Sequence, residues 1–384
     1  MKHGWDYKKL GELVQVLNGY AFKSSLYENQ GIRVLRITNV QKGNIVDDDP
    51  KYYPLSLTDE IRNYLLKEND LLMSLTGNVG RVGLLTKEML PAALNQRVAC
   101  LRILSNGLNL GFLFHYLNSD KFEQDAVLSA KGIAQKNMST EWLKDYKLPL
   151  PPISVQQSIV SELEKINELI RLKKEQQKDY DNLAQSIFYE MFGDPVVNEK
   201  GWEVKKLGEV CTYPNKRISL SDITSYEYVG VETLVKNKGG VLFTEELPNA
   251  KNAIEYIEND ILIGNIRPYL KKIWKSDRHG GASGDVVIIR ISDSMKGLLT
   301  PVYLFKLLST DEFFEYDNAN THGAKMPRGD RKAIAEFTIQ IPPMDIQHIF
   351  AQRIELIEKQ KAEIQSTIAD LETLLASRMQ YWFG

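Results

Sequence analysis

Two stretches of this chain place their apolar residues on a single helical stripe. Steps of four and three from Ile159 reach Leu163, Ile166, Ile170, Lys173, Gln177, Tyr180, Ala184, Ile187 and Met191. The same steps from Phe350 reach Ile354, Ile357, Lys361, Ile364, Ile368, Leu371, Leu375, Arg378 and Trp382. That alternation, sustained over four heptads, predicts two long helices, each with a seam that needs a partner helix. At 1.5 Å per residue, helices of about 38 residues would each extend roughly 55 Å. Packing against each other satisfies both seams, so Ile159, Leu163, Ile166, Ile170, Tyr180 and Ile187 are expected to face Ile354, Ile357, Ile364, Ile368, Leu371 and Leu375. The competing arrangement lays each helix along its own globular part. Lys173, Gln177 and Lys361 interrupt the stripes, and a polar residue at a seam costs stability but can fix register or orientation. An antiparallel pair follows if each globular part sits at an opposite end.

Ahead of each helical stretch the period changes. Runs such as "IRVLRITNV", "RVACLRIL", "GDVVIIRIS" and "FTIQIPP" read as strands, separated by Gly and Asn turns and by helical runs such as "LGFLFHYLNSDKFEQDAV". The pattern is that of a compact α+β domain. Pro152 and Pro343 suit the turn before a helix, with Ser154 and Asp345 expected as N-caps. Gly193, Asp194 and Pro195 end the first long helix.

The two halves are copies of one unit. "GWDYKKLGEL" at Gly4 returns as "GWEVKKLGEV" at Gly201, and "ENDLL" at Glu68 returns as "ENDIL" at Glu258. "LPPISVQQSIV" at Leu150 returns as "IPPMDIQHIFA" at Ile341, and "SIFYEMFG" at Ser186 as "SRMQYWFG" at Ser377. Gly132 precedes its Pro-Pro pair by the same interval as Gly323. The order is kept over a period of about 190 residues, while the sequence between the matched phrases diverges. The expected organisation is a globular domain over 1–147, a spacer helix over 148–196, a second globular domain over 197–338 and a second spacer helix over 339–384, related by an internal pseudo-twofold repeat.

Composition narrows the class without naming it. Of 384 residues, 43% are apolar and 26% charged, as in ordinary globular proteins. No apolar run is long enough to span a membrane and the N-terminal stretch lacks a signal-peptide core, so a cytoplasmic location is expected. Cys100 and Cys211 are too few for a disulfide framework or a structural zinc site. A net charge of −2 argues against coating nucleic acid by charge alone, although a basic cleft balanced by acidic faces is compatible with it.

The order "GW…KKLGE", a divergent globular region, "LPLPPISVQQSIV", a long helix ending "MFGDP", and then the whole unit again resembles the specificity subunits of type I restriction-modification systems, over essentially the full chain. The duplicated order carries the resemblance; no single phrase does. It implies two target-recognition domains, each reading one half of a bipartite duplex DNA site, held apart by an antiparallel helix pair. It also implies assembly with two methyltransferase subunits and, for cleavage, two motor-nuclease (restriction) subunits. The pairs Gln156-Gln157 and Gln347-His348 stand where many family members have Glu-Gln, which is expected to shift helix-start electrostatics slightly. The physical pattern agrees with that reading. Two similar readers on a rigid spacer can touch DNA segments about one helical turn, roughly 34 Å, apart, and one duplicated chain allows the two halves to differ in sequence.

Candidate DNA contacts lie in several loops. "NIRPYLKKIWKSDRH" clusters Arg267, Lys271, Lys272, Lys275 and Arg278 around Tyr269 and Trp274. Such cations neutralise phosphates, and arginine grips guanine through two hydrogen bonds; a solvated turn with Trp274 in the core is the alternative. "THGAKMPRGDRK" offers Lys325, Arg328, Arg331 and Lys332. In the first half, "SLTGNVGRVG" presents Thr76, Asn78 and Arg81 with glycines that let backbone amides approach a phosphate, but lacks the ending of a nucleotide P-loop. "ALNQRVA" contains Asn95, Gln96 and Arg97, types that read adenine and guanine edges or serve as buried hydrogen-bond partners. "SAKGIAQKNMS" supplies Lys131, Gln135, Lys136 and Asn137 and matches the "HGAKMPRG" loop in repeat register. Trp5, Trp142, Trp202 and Trp382 read as core or interface anchors.

Chemistry of the chain's own is not expected. The Pro-Pro pairs follow Leu150 and Ile341 and precede Ile153 and Met344, so they cannot hold an adenine amino nitrogen as an Asn- or Asp-Pro-Pro-aromatic motif does. No Gly-rich cofactor turn follows a convincing first strand, and the five histidines show no metal-ligand spacing, so neither cofactor nor metal is expected. "DDDP" at Asp47 reads as an acidic solvated turn rather than a nuclease site. An enzyme in its own right and a coiled-coil scaffold that binds only protein are the alternatives.

Overall fold

The computed structural model describes residues 5–130, 137–323 and 325–384. The chain divides into two compact units, one formed by residues 1–173 with 367–384 and the other by 174–366.

In the first unit, β1 (Asp6–Lys9), α1 (Leu10–Leu13) and β2 (Val14–Asn18) lead to β3 (Ile32–Leu35), β4 (Val40–Gln41), β5 (Asn44–Ile45) and β6 (Tyr52–Tyr53). β7 (Leu71–Ser74), β8 (Val82–Leu84), β9 (Ala92–Leu94) and β10 (Val98–Ile103) follow. Next come α2 (Leu110–Leu117), α3 (Asp120–Ser129), α4 (Thr140–Asp145), β11 (Lys147–Leu150) and the long α5 (Ile153–Phe192). The central sheet runs β2-β10-β7-β8, a second sheet runs β6-β3-β9 with β3 and β9 parallel, and β1 pairs antiparallel with β11. The stretch expected to be helical over 110–127 is two helices, because the Ser119 hydroxyl accepts the Phe122 N–H at 3.3 Å and starts a new one.

The second unit repeats the central sheet and the terminal strand pair but has a different second sheet. β12 (Glu203–Lys206), α6 (Leu207–Val210), β13 (Cys211–Thr212), β14 (Arg217–Ser219), β15 (Tyr228–Val229) and β16 (Asn252–Tyr256) precede β17 (Ile261–Gly264), β18 (Ile273–Lys275), β19 (Gly280–Ala282) and β20 (Val286–Ile291). Then come α7 (Pro301–Leu308), α8 (Asp311–Ala319), α9 (Arg331–Glu336), β21 (Thr338–Ile341) and the long α10 (Met344–Phe383). Its central sheet is β13-β20-β17-β18, its second sheet β14-β16-β19-β15, and β12 pairs with β21.

The duplicated phrases mark shared framework contacts. In "ENDLL" and "ENDIL", Asn69 and Asn259 turn through left-handed conformations at φ 68° and 72°. The next residues, Asp70 and Asp260, are buried and grip Arg102 and Arg290 through paired hydrogen bonds of 2.7–2.8 Å. The Pro-Pro phrase has a different capping geometry from the one expected. Ser154 and Asp345 lie inside α5 and α10, while the carbonyl of Pro152 accepts the Gln156 N–H at 3.0 Å and that of Pro343 accepts the Gln347 N–H at 3.2 Å. The proline carbonyl thus closes the first turn. Gln156 and Gln347 are themselves fully buried.

Many of the seam positions of the long helices are buried or half-buried. In the first unit, Ile159, Leu163, Ile166, Ile170 and Ile368 are buried and Leu371 and Leu375 half-buried. There Glu162 of α5 accepts from both Arg378 and Trp382 of α10, the latter at 2.9 Å. In the second unit, Ile354, Ile357 and Ile364 are buried and Tyr180 and Ile187 half-buried. Gln177 faces Gln365, Asp181 pairs with Lys361 at 2.6 Å, and Phe192 meets the Phe350 ring at 5.0 Å. Numbers rise along α5 as they fall along α10, so the pairing is antiparallel. Each helix also ends on a globular core: Phe192 packs on Tyr303 of α7 in the second unit, and Phe383 on Phe112 of α2 in the first. Among the described residues, no helix is long and apolar enough to cross a membrane.

Candidate nucleic-acid interface

Each unit brings three separate loops together at one end of its central sheet. In the first, β7 and β8 are joined by 75–81, a turn stapled by Ser74, whose hydroxyl donates to the Asn78 carbonyl and accepts the Arg81 N–H. Gly77 and Gly80 take φ values of 73° and 80°, which the turn requires and which favour glycine. Leu75 then laces the loops: its N–H donates to Arg97 O at 3.0 Å, and its carbonyl accepts from Met138 at 2.8 Å. Thr76 bridges to Asn137 and is largely buried. Asn78, Gln96, Arg97 and Asn137 remain exposed, and Arg81 is half-buried, donating to the Gln41 side chain at 2.5 Å. Lys131, Gln135 and Lys136 lie outside the described residues.

The second unit builds the same lattice. Asn265 donates its N–H to Asp285 O at 2.9 Å and accepts from Gly329 at 3.0 Å, while the Arg267 N–H reaches Pro327 O at 2.8 Å. Ile266 bridges to Arg328, whose guanidinium pairs with Asp285 at 3.1 Å. Arg331 donates to Gly284 O at 3.0 Å. Arg267, Lys325, Arg328, Arg331 and Lys332 are all exposed here.

The turn carrying Arg267 is unusual. Arg267 and Lys271 sit at φ 55° and 50° on either side of the short turn Pro268–Leu270. Non-glycine residues held there store strain of about 1 kcal/mol or more each, and such residues cluster at functional sites. Asn237 and Lys238 hold the turn by donating their N–H groups to Leu270 and Lys271 at 2.8 Å. The clamp presents Arg267 and the half-exposed Tyr269, a residue whose place in the sequence pattern gives it no separate role.

The other cations of that cluster are engaged within the fold. Lys271 and Lys238 share Asp311 at 2.9 and 2.7 Å, and their ammonium groups hold its carboxyl below the usual range. Lys272 donates to Val231 O at 2.5 Å and Lys275 to the Asn259 side chain at 3.2 Å. The Arg278 guanidinium lies 4.0 Å from the Tyr226 ring centroid, 5.0 Å from Trp274 and 5.2 Å from Phe243. No sequence periodicity places those three rings together, because they come from three distant segments.

The remaining candidates have ordinary structural places. Asp47 pairs with Arg33 at 2.6 Å and Asp49 with Lys51 at 2.6 Å. Cys100 and Cys211 are buried, and burial pushes both thiols up. Among the described residues, no group of three or more His, Cys, Asp or Glu is placed to hold a metal ion. Trp202 donates to Phe192 O at 2.9 Å, Trp382 to Glu162, and Trp5 and Trp142 pack on the first unit's core.

The family described as type I restriction modification DNA specificity domain matches residues 2–179 and again 199–373. The chain belongs to this family. The two matches fall on the two copies of the repeat. The chain is 32% identical over 170 residues to the type I restriction enzyme EcoAI specificity subunit of Escherichia coli, a match spanning 43% of this chain and 29% of that protein. It is 28% identical over 187 residues to the MjaVIII specificity subunit of Methanocaldococcus jannaschii, spanning 48% of this chain and 44% of that one. Matches therefore span less than half the length of these relatives. The fold is shared with the S subunit of a type I restriction-modification system from M. genitalium, at a TM-score of 0.54 and 14% identity, over 99% of this chain and 96% of that chain. It is shared also with a chain from a structure addressing complex assembly and conformational transition of the type I R-M system, at 0.57 and 18%, over 100% and 98%. A two-domain specificity protein of the α+β class, with two long paired helices, is thus established.

Proposed function

We propose that this chain is the non-catalytic DNA-recognition subunit of a type I restriction-modification complex, acting in the cytoplasm. It reads a bipartite duplex site with one half per globular domain, 1–147 and 197–338, and docks two methyltransferase and two restriction subunits. The observation that carries the reading is the duplicated three-loop edge. An identical backbone lattice, hung on Leu75 in one unit and Asn265 in the other, displays unlike polar side chains at its surface. A conserved frame with exchanged display residues is what reading two different half-sites demands, since frame contacts position and base contacts specify. Arg267, Arg328, Arg331, Lys325, Lys332 and Tyr269 are the contacts of the second half; Asn78, Gln96, Arg97 and Asn137 those of the first. The helix pair sets the interval between them.

The test is methylation mapping in a host carrying this chain with its methyltransferase partner. Methylated adenines are expected in a two-part motif with a fixed gap. A contiguous motif, or methyl transfer from S-adenosylmethionine by the pure chain alone, overturns the reading.

A further inference from the structure

The same lattice encloses different chemistry in the two units. In the first, Leu75, Met138 and Ala126 of α3 belong to one apolar core and are 8%, 4% and 0% exposed. The equivalent places in the second unit are Asn265, Gly329 and Asp317; Ala126 and Asp317 are each the seventh residue of their helix. An apolar plug has become a polar one.

That plug is not self-sufficient. Asp317 is 1% exposed, and neither of its carboxylate oxygens has a donor partner, nor does the buried Oδ1 of Asn265. A methyl group placed on Gly329 would lie 2.7 Å from Asp317 Oδ1 and 2.9 Å from Asn265 Oδ1, so both acceptors converge on one point. Burial without a donor raises the Asp317 carboxyl to about 6. Buried acceptors without donors destabilise a fold, and the other unit shows that this position accepts an apolar side chain. The polar set therefore costs stability that the scaffold does not require.

We propose that Asp317 is a positioning residue that sets which end of the Asn265 carboxamide faces inward, and thereby which hydrogen-bonding face the second unit offers to a base. The two ends of a carboxamide exchange by a half turn about one bond. An ionised Asp317 only accepts, so it is satisfied when Asn265 Nδ2 turns inward, which leaves Oδ1 as an acceptor on the outward end of this half-buried side chain. An acceptor there selects the amino groups of adenine N6 or cytosine N4 over the carbonyls of guanine and thymine. With Oδ1 inward, three acceptors face one another, which stands only if Asp317 holds a proton. This rests on the recognition role proposed above.

The full chain, with its co-expressed methyltransferase partner, is used to select duplexes from a random pool. Wild type enriches two half-sites. Asp317→Asn satisfies either orientation of Asn265, so discrimination between amino-bearing and carbonyl-bearing bases falls about tenfold at one position of one half-site. The other half-site is unchanged. Asn265→Leu combined with Asp317→Ala restores the apolar plug; it is expected to show the same single-position relaxation and a higher melting temperature. Unchanged preference at every position overturns the proposal, as does uniform loss across the half-site with a lowered melting temperature, which marks a purely structural role. A wild-type pool without half-sites removes the recognition role itself, and this assignment with it.

Discussion

Gln156 Oε1 accepts the backbone N–H of Asn109 at 2.8 Å, joining the first turn of α5 to the residue that caps α2. Its Nε2 donates to Gly107 O and Pro151 O at 2.9 and 2.8 Å. Gln347 makes the same three bonds, accepting from the Thr300 N–H and donating to Leu298 O and Pro342 O, all at 2.8 Å. One buried carboxamide thus locks each long helix to its globular core. A carboxylate could accept here but could not donate twice, so the effect of glutamine at this position is a matter of donors rather than of helix-start charge.

Replacing Gln156 by Leu leaves one donor and two acceptors buried and unpaired. The first unit is expected to lose about 2–4 kcal/mol, and Gln347→Leu to cost the second unit the same. Hydrogen exchange resolved by residue checks this: faster exchange should appear at α2 for the first variant and at α7 for the second. Uniform exchange changes in both units would contradict a local lock.

His115 is buried in α2, and burial pulls its pKa down to about 4. The unfolded chain takes up this proton first, near 6.5. The contribution is therefore complete above about pH 6.5 and is lost as pH falls toward 4, by up to roughly 3 kcal/mol. Replacing His115 by Gln should flatten that part of the first unit's stability profile. An unaltered acid limb in denaturant unfolding would show that other groups dominate it.

Arg267 and Lys272 are neighbours in sequence with opposite fates. Arg267 is exposed on the strained turn, whereas Lys272 is tied to Val231 O. Arg267→Ala should weaken recognition of one half-site by about 1–3 kcal/mol without altering stability. Lys272→Ala should lower the melting temperature instead. Competition binding with half-site variants, alongside calorimetry, separates the two effects.

Removing one heptad from both α5 and α10 shortens each helix by about 10 Å. The preferred gap between half-sites is expected to contract by about three base pairs. Methylation mapping of the shortened chain reads this directly, and an unchanged gap would refute the spacer role.

Part of the candidate site was legible in sequence because it is local. The Gly77 and Gly80 turn, the exposed Arg267 and the basic run from Lys325 to Lys332 are consequences of adjacent residues and of repeat register. Arg278 shows the opposite case. It is charged and stands in a basic run, yet rings from positions 226, 243 and 274 enclose it. Charge along a chain says nothing about which cations find internal partners.

The sequence by itself determined the duplication and the period of the two helical seams. Each of these is a repeat of residue type at fixed spacing, and helices convert spacing into faces. Tertiary structure alone decided that Phe192 and Phe383 close separate cores, that Gln156 and Gln347 act as locks, and that Asp317 lies unpaired beneath Asn265. These depend on segments far apart in the chain meeting at one point, where burial, not residue type, sets what a polar group must find.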